Sequence, residues 1–219
     1  MSAGPTIAIV DYGMGNRRSV EKALEHVGAR AKITRDHDVL ATADGLVVPG
    51  VGAFPRAMSN LTELGLSEVI VERGAAGVPV LGICLGMHVL FERSFEFEPT
   101  AGLGLIAGEI TQLDTNGLRL PHIGWNRVDF APARASSPLT ESLPADGAHF
   151  YHVHSLVPRP AEEDDALATS EYGERFVTAV QRGSVFGVQF HPEKSSTHGL
   201  ALLRNFASVC ARHAQGVAA

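Results

Sequence analysis

Two short blocks of this sequence carry side chains able to cleave an acyl bond. Gly82-Ile83-Cys84-Leu85-Gly86 follows an apolar run and precedes a helical pattern. That layout is a nucleophile elbow with cysteine in place of serine. A tight strand-to-helix turn projects the sulfur from the sheet, and small neighbours let the backbone bend that sharply. A helix N-terminus favours a thiolate, and the amide after the nucleophile can donate to an oxyanion. The second block, Gln189-Phe190-His191-Pro192-Glu193, closes a strand pattern. Alternate strand residues share a face, so His191 and Glu193 can work together. A cysteine nucleophile needs a base, and the base needs a group that fixes its tautomer.

A third block, Pro49-Gly50-Val51-Gly52, follows another strand. Its glycines permit close backbone approach to a ligand. Amides around Gly50, Val51 and Gly52, with that of Leu85, are candidates for an oxyanion hole. Each block also has a plain reading: a buried cysteine, an ordinary loop, a tight turn. Cys210 lies among Leu202, Leu203, Phe206 and Val209 at helical spacing and reads as core.

The elements that must position these residues alternate in the first half. Strands are predicted at Thr6–Val10, Ala31–Thr34, Gly45–Val48 and Val78–Ile83. Helices are predicted from an Asn16 cap to about Val27, one or two within Phe54–Ala76, and one over Leu85–Arg93. Such alternation implies a parallel sheet covered on both faces, with ligands at the strands' carboxyl ends. The second half reads as strands at Glu109–Leu113, Trp125–Phe130, His149–Val157, Ala166–Ser170, Phe176–Gln181 and Val185–Phe190. Arg182-Gly183-Ser184 reads as a hairpin turn, Leu200–Arg212 as a closing helix and Ala214–Ala219 as a frayed tail. The expected fold is α/β, with a central mixed and largely parallel sheet flanked by helices, in one domain over residues 1–219.

The 219 residues are 45% hydrophobic and 19% charged, which is ordinary globular usage. Net charge is −6, with no basic run, so nucleic acid is not an expected partner. Two cysteines make neither a disulfide framework nor a CxxC metal pair. No leader pattern and no long apolar span is evident, so a reducing cytoplasm is the expected setting. Gly13-x-Gly15 lacks the third glycine of a dinucleotide fingerprint.

Taken together, the three blocks resemble the class I (triad) glutamine amidotransferases, in that family's order. Further blocks narrow the resemblance to the glutaminase subunits of imidazole glycerol phosphate synthase. They are Asp11-Tyr12-Gly13-Met14-Gly15-Asn16, Pro121-His122-Ile123-Gly124-Trp125-Asn126 and His191-Pro192-Glu193-Lys194-Ser195. The resemblance implies the flavodoxin-like fold of that class and a Cys84, His191, Glu193 triad. It implies oxyanion amides at Val51 and Leu85, and glutamine contacts at position 88, Ser155 and Leu156. It implies no cofactor and no metal. A (βα)8-barrel synthase subunit is the implied partner, with Tyr12, Asn16, Trp125 and Lys194 near the shared face. The plain reading of Trp125 is core packing.

The chain departs from the family at two places. His88 stands where glutamine is usual, and its charge is expected to change near pH 6.5. His152 stands where an aromatic residue is more usual. His152 and His154 share a strand face, which supplies at most two of the three or four ligands that zinc wants. Competing functions are a non-catalytic scaffold, an amidotransferase of another pathway and an esterase-like hydrolase.

Overall fold

The computed structural model describes residues 4–131 and 137–216. The part of the predicted tail from 217 onward lies outside the described residues. Strands are β1 (Thr6–Val10), β2 (Arg30–Thr34), β3 (Gly45–Val48), β4 (Val80–Ile83), β5 (Phe91–Ser94), β6 (Thr100–Ala101) and β7 (Ile106–Gln112). They continue with β8 (His122–Phe130), β9 (Ala148–His154), β10 (Leu156–Pro160), β11 (Ala166–Tyr172), β12 (Glu174–Arg182) and β13 (Val185–Val188). Helices are α1 (Arg17–His26), α2 (His37–Thr42), α3 (Phe54–Glu63), α4 (Leu66–Ala75), α5 (Leu85–His88) and α6 (Ser196–Ala214).

Nine strands form the main sheet in the order β2-β1-β3-β4-β13-β12-β11-β8-β9. Pairing is parallel from β2 through β13 and antiparallel beyond. The parallel strands are short, apolar runs because both their faces are covered. The period of two sorts their side chains. Ile7, Ile9, Val47, Leu81 and Ile83 pack on one side with α1 and α6. Ala8, Val10, Leu46, Val48 and Val80 pack on the other with α2, α3 and α4. Each fully buried large side chain contributes roughly 1.5–3 kcal/mol. Cys210 is fully buried in the α6 face, as its spacing implies.

Two expectations need correction, and one helix was not expected. The helix expected over Leu85–Arg93 is a single turn, Leu85–His88, and β5 follows it. Phe91 is fully buried in β5, so this apolar run serves a strand and not a helix face. The strand expected over His149–Val157 is two strands, broken at Ser155. β9 pairs with β8 in the main sheet, while β10 pairs with β7 in a second sheet ordered β10-β7-β5-β6. Helix α2 was not foreseen, although Asp36 marks its start: its carboxylate accepts from the amides of Asp38 and Val39.

Strands β1, β3, β4 and β13 run parallel, so their carboxyl ends meet at one edge. There they deliver the 11–16 loop, the Pro49–Gly52 turn, Cys84 and the Gln189–His191 segment. The 11–16 loop leans on the turn next to it: a Cβ on Gly15 would lie 3.1 Å from Val51 Cγ2.

Candidate active site

Cys84 sits between β4 and α5 with φ 54° and ψ −113°. A non-glycine residue in that region is strained, at a cost of about 1–3 kcal/mol. The two flanking glycines make the bend possible. A Cβ at Gly82 would lie 2.5 Å from the Gly86 carbonyl oxygen, and one at Gly86 would lie 1.7 Å from that of Val48. The elbow is thus wedged against β3, beside the Pro49–Gly52 turn. Gly50 is tight for the same kind of reason: its Cβ would meet the Tyr12 hydroxyl at 2.3 Å.

His191 and Glu193 are fully buried at the side chain. His191 Nδ1 donates to Glu193 Oε1 at 3.0 Å, and the Asn16 amide donates to the same oxygen at 2.7 Å. Asn16 therefore stands at the N-cap position of α1 without capping it with its side chain, which is committed to Glu193. Burial works against a charged His191. Hydrogen bonding and charge from Cys84 and Glu193 outweigh it and raise the ring to about 9. Burial also opposes the Glu193 carboxylate, and the bonds from His191 and Asn16 overcome it, leaving the group lowered. The hydrogen bond with Cys84 is the largest of the influences that raise the ring, ahead of the charge on Cys84, and His191 Nε2 is buried with no other partner.

A cavity of about 250 Å³ opens beside the sulfur. It is lined by the predicted Val51, Gly52, Cys84, Leu85, His88, Ser155 and Leu156, and also by Glu96, Pro121, Val153 and His154. The strand break at Ser155 is what aims the 153–156 backbone into this space. Glu96 was not anticipated. Its carboxylate accepts from the Phe54 amide at 2.6 Å, which ties the loop after β5 to the start of α3. Gln189 was also missed as a site residue. Its Nε2 lies 3.8 Å from Cys84 Sγ, and its Oε1 lies 2.8 Å from His88 Nε2. The signal was present, since 189 and 191 alternate onto one face.

His88 is buried, and burial lowers it to about 4 despite the bond to Gln189. The expected charge change near pH 6.5 is therefore corrected: the ring stays neutral through the physiological range. Tyr12 needs a second correction. It is 1% exposed, and its hydroxyl donates to the Pro49 carbonyl at 2.5 Å, so it braces the turn from within and does not present itself on a surface. Trp125 is 54% exposed beside Ile123 at 59%, which rules out the core-packing reading. Lys194 is exposed, while Asn16 is half-buried.

His152 and His154 meet His122 from the neighbouring strand, because β8–β9 pairing sets His122 opposite His154. Their nitrogens are used within the protein. His154 Nδ1 donates to the Leu156 carbonyl at 3.0 Å, and its Nε2 accepts from His122 Nδ1 at 2.8 Å. His122 Nε2 accepts from Asn126 at 3.3 Å. His152 Nδ1 donates to Phe150 at 3.1 Å, and its Nε2 accepts from the Thr178 hydroxyl at 2.9 Å. Among the described residues no group of three or more His, Cys, Asp or Glu side chains is placed to hold a metal ion. Among them, too, no helix is long and apolar enough to cross a membrane.

This site and fold define a class. The profile of class-I glutamine amidotransferases matches residues 8–210. The imidazole glycerol phosphate synthase subunit HisH of Moorella thermoacetica is 48% identical over 208 residues, covering 95% of this chain and 96% of that one. The protein of the same name from Shouchella clausii is 47% identical, over 91% of this chain and 96% of its own. The structure of PurLQS from Thermotoga maritima includes a chain with the same fold: the TM-score is 0.75 at 18% identity, covering 96% of this chain and 99% of that one. The chain belongs to the class-I glutamine amidotransferases, an enzyme family, and within it to the HisH type.

Proposed function

We propose that this chain is the glutaminase subunit of a cytoplasmic imidazole glycerol phosphate synthase, working with Cys84, His191 and Glu193. The observation that carries the reading is the alignment of those three residues at the strand ends, beside a cavity bordered by Val51, Leu85 and Ser155. The names of the two relatives support the pathway.

The steps follow from the geometry. Cys84 passes its thiol proton to His191, its sulfur attacks the side-chain carbonyl carbon of glutamine, and the carbonyl electrons move to oxygen. Amides of Val51 and Leu85 receive that oxyanion. Leu85 opens α5, so its amide has no intrahelical partner. The protonated ring is favoured by its surroundings, which raise it to about 9, and it gives that proton to the departing nitrogen. The C–N bond breaks, and ammonia and a glutamyl thioester remain. His191 then takes a proton from water as the hydroxyl adds to the thioester carbonyl. The C–S bond breaks to release glutamate. Glu193, held by Asn16, keeps the imidazole in one orientation throughout. Backbone at Ser155 and Leu156 holds the α-carboxylate. His88 offers Nδ1 to the ligand, since its Nε2 is engaged by Gln189.

Ammonia passes to a separate (βα)8-barrel synthase subunit, which forms imidazole glycerol phosphate and an aminoimidazole ribonucleotide for histidine synthesis. The exposed Trp125 and Ile123, with Lys194, form the natural docking face. Docking reorients the Val51 peptide and so switches the oxyanion hole on. The test is glutamate release by the purified chain, with and without the barrel subunit and its ligand. Turnover that needs the partner and vanishes in Cys84→Ala is expected. A complex that forms and never turns over would replace the reading with a scaffold role.

A further inference from the structure

We infer that Gln189 is a further catalytic residue, whose side-chain N–H is a fixed donor to the Cys84 sulfur, and that His88 is the positioning residue that fixes it. The inference rests on the reading of Cys84 as nucleophile. Three observations join. Gln189 is fully buried, so its amide needs partners on both ends. Its oxygen faces His88 Nε2 at 2.8 Å, and its nitrogen faces Cys84 Sγ at 3.8 Å. The opposite amide orientation would set a carbonyl oxygen against a sulfur that must bear negative charge. His88 Nε2–H therefore donates to Oε1, and the amide N–H is left for the sulfur.

The short α5 explains why such a donor matters. One helical turn, Leu85–His88, has little macrodipole to offer an anion. Side chains must supply what a longer helix would. His191 does so by charge, and Gln189 does so by a neutral hydrogen bond from the other flank. Burial keeps His88 uncharged, so the relay stays in one protonation state across the working range. The other titratable groups around the sulfur are His191 with Glu193 behind it, Tyr12 below, and His154 and Glu96 on the cavity wall.

The test is the rate of iodoacetamide alkylation of Cys84 against pH, followed by mass spectrometry on the free subunit. Cys84→Ala is the blank, since Cys210 is buried. Gln189→Leu removes the donor, and His88→Phe removes what fixes it. Both are expected to slow alkylation near pH 7 by about fivefold, with the profile moved to higher pH and meeting the parent at its alkaline end. His88→Gln restores an amide partner and is expected to recover the parent profile within about twofold. A folded Gln189→Leu whose profile overlays the parent overturns the inference. If that variant does not fold, the His88→Phe and His88→Gln pair decides: equal profiles in the two overturn the role of His88. Glutamate release by the parent with its partner is scored separately. Its absence, with a displaced alkylation profile, would sink the glutaminase reading and leave the donor assignment standing.

Discussion

Two buried regions of this protein use histidine in opposite ways. At the strand ends, His191 is fully buried and raised to about 9. Beneath β8 and β9, burial lowers His122 to about 4, His152 to about 3 and His154 well below its usual value. Depth does not separate them, since both sites exclude water. The partners do. His191 has a carboxylate and a thiol, and the carboxylate is itself held by Asn16. The three clustered rings have carbonyls, a hydroxyl, an amide and one another. Each clustered ring with both nitrogens bonded has one donor and one acceptor, a pattern that only the neutral form can satisfy. A buried histidine is thus set by what faces it, with burial fixing only the penalty for a mismatch.

The comparison can be broken hardest at Glu193. Glu193→Gln removes the charge and should make His191 resemble the cluster. Glutamate release should fall roughly 10²-fold to 10⁴-fold, and the His191 resonance should titrate lower than in the parent. A His191 that still titrates near 9 by NMR would transfer the cause to Cys84. Asn16→Ala removes one bond to the same carboxylate, and about tenfold of activity should go with it. An unchanged rate would mean that Glu193 needs no external support.

The cluster is sharpened by acid. Groups whose folded pKa is lowered contribute stability above their unfolded value of about 6.5 and lose it as pH falls toward the folded values. His88, His122, His152 and His154 all have this sign. Urea unfolding should therefore show stability falling between about pH 6.5 and pH 4, by up to about 1.4 kcal/mol per pH unit for each histidine. His191 has the opposite sign and should cost stability only as pH rises from about 6.5 through about 9. Flat stability from pH 7 to 5 would refute the neutral assignment. His152→Phe should flatten the acid slope by one proton while costing about 1 kcal/mol near pH 8 for the lost Thr178 bond. The smallest effect is expected at His88→Gln. The Michaelis constant for glutamine should change a fewfold, and neither protein should show an inflection near pH 6.5; one in the parent alone would restore a titrating His88.

The sequence drew attention to Cys84, His191 and Glu193 because their signals are local. Gly82, Cys84 and Gly86 crowd one turn, and His191 and Glu193 are two residues apart. The parallel character of the sheet was legible in the first half, where apolar runs alternate with helices. Register across strands was not legible. His122 meets His154 through β8–β9 pairing, and nothing within either segment announces the other. The break at Ser155 was hidden because no glycine or proline marks it between His149 and Val157. Gln189 was passed over because its partners, Cys84 and His88, lie about a hundred residues away. Its place on the His191 face was the one clue.

The order of Cys84, His191 and Glu193 along the chain sets a clock on synthesis. Asn16 and Glu193 are 177 residues apart, yet one hydrogen bond joins them. The slot beside β4 is filled only by β13, among the last strands made. A nascent chain therefore carries Cys84 early and His191 very late. Until residue 193 has left the ribosome, the growing polypeptide holds Cys84 without His191 and Glu193 beside it.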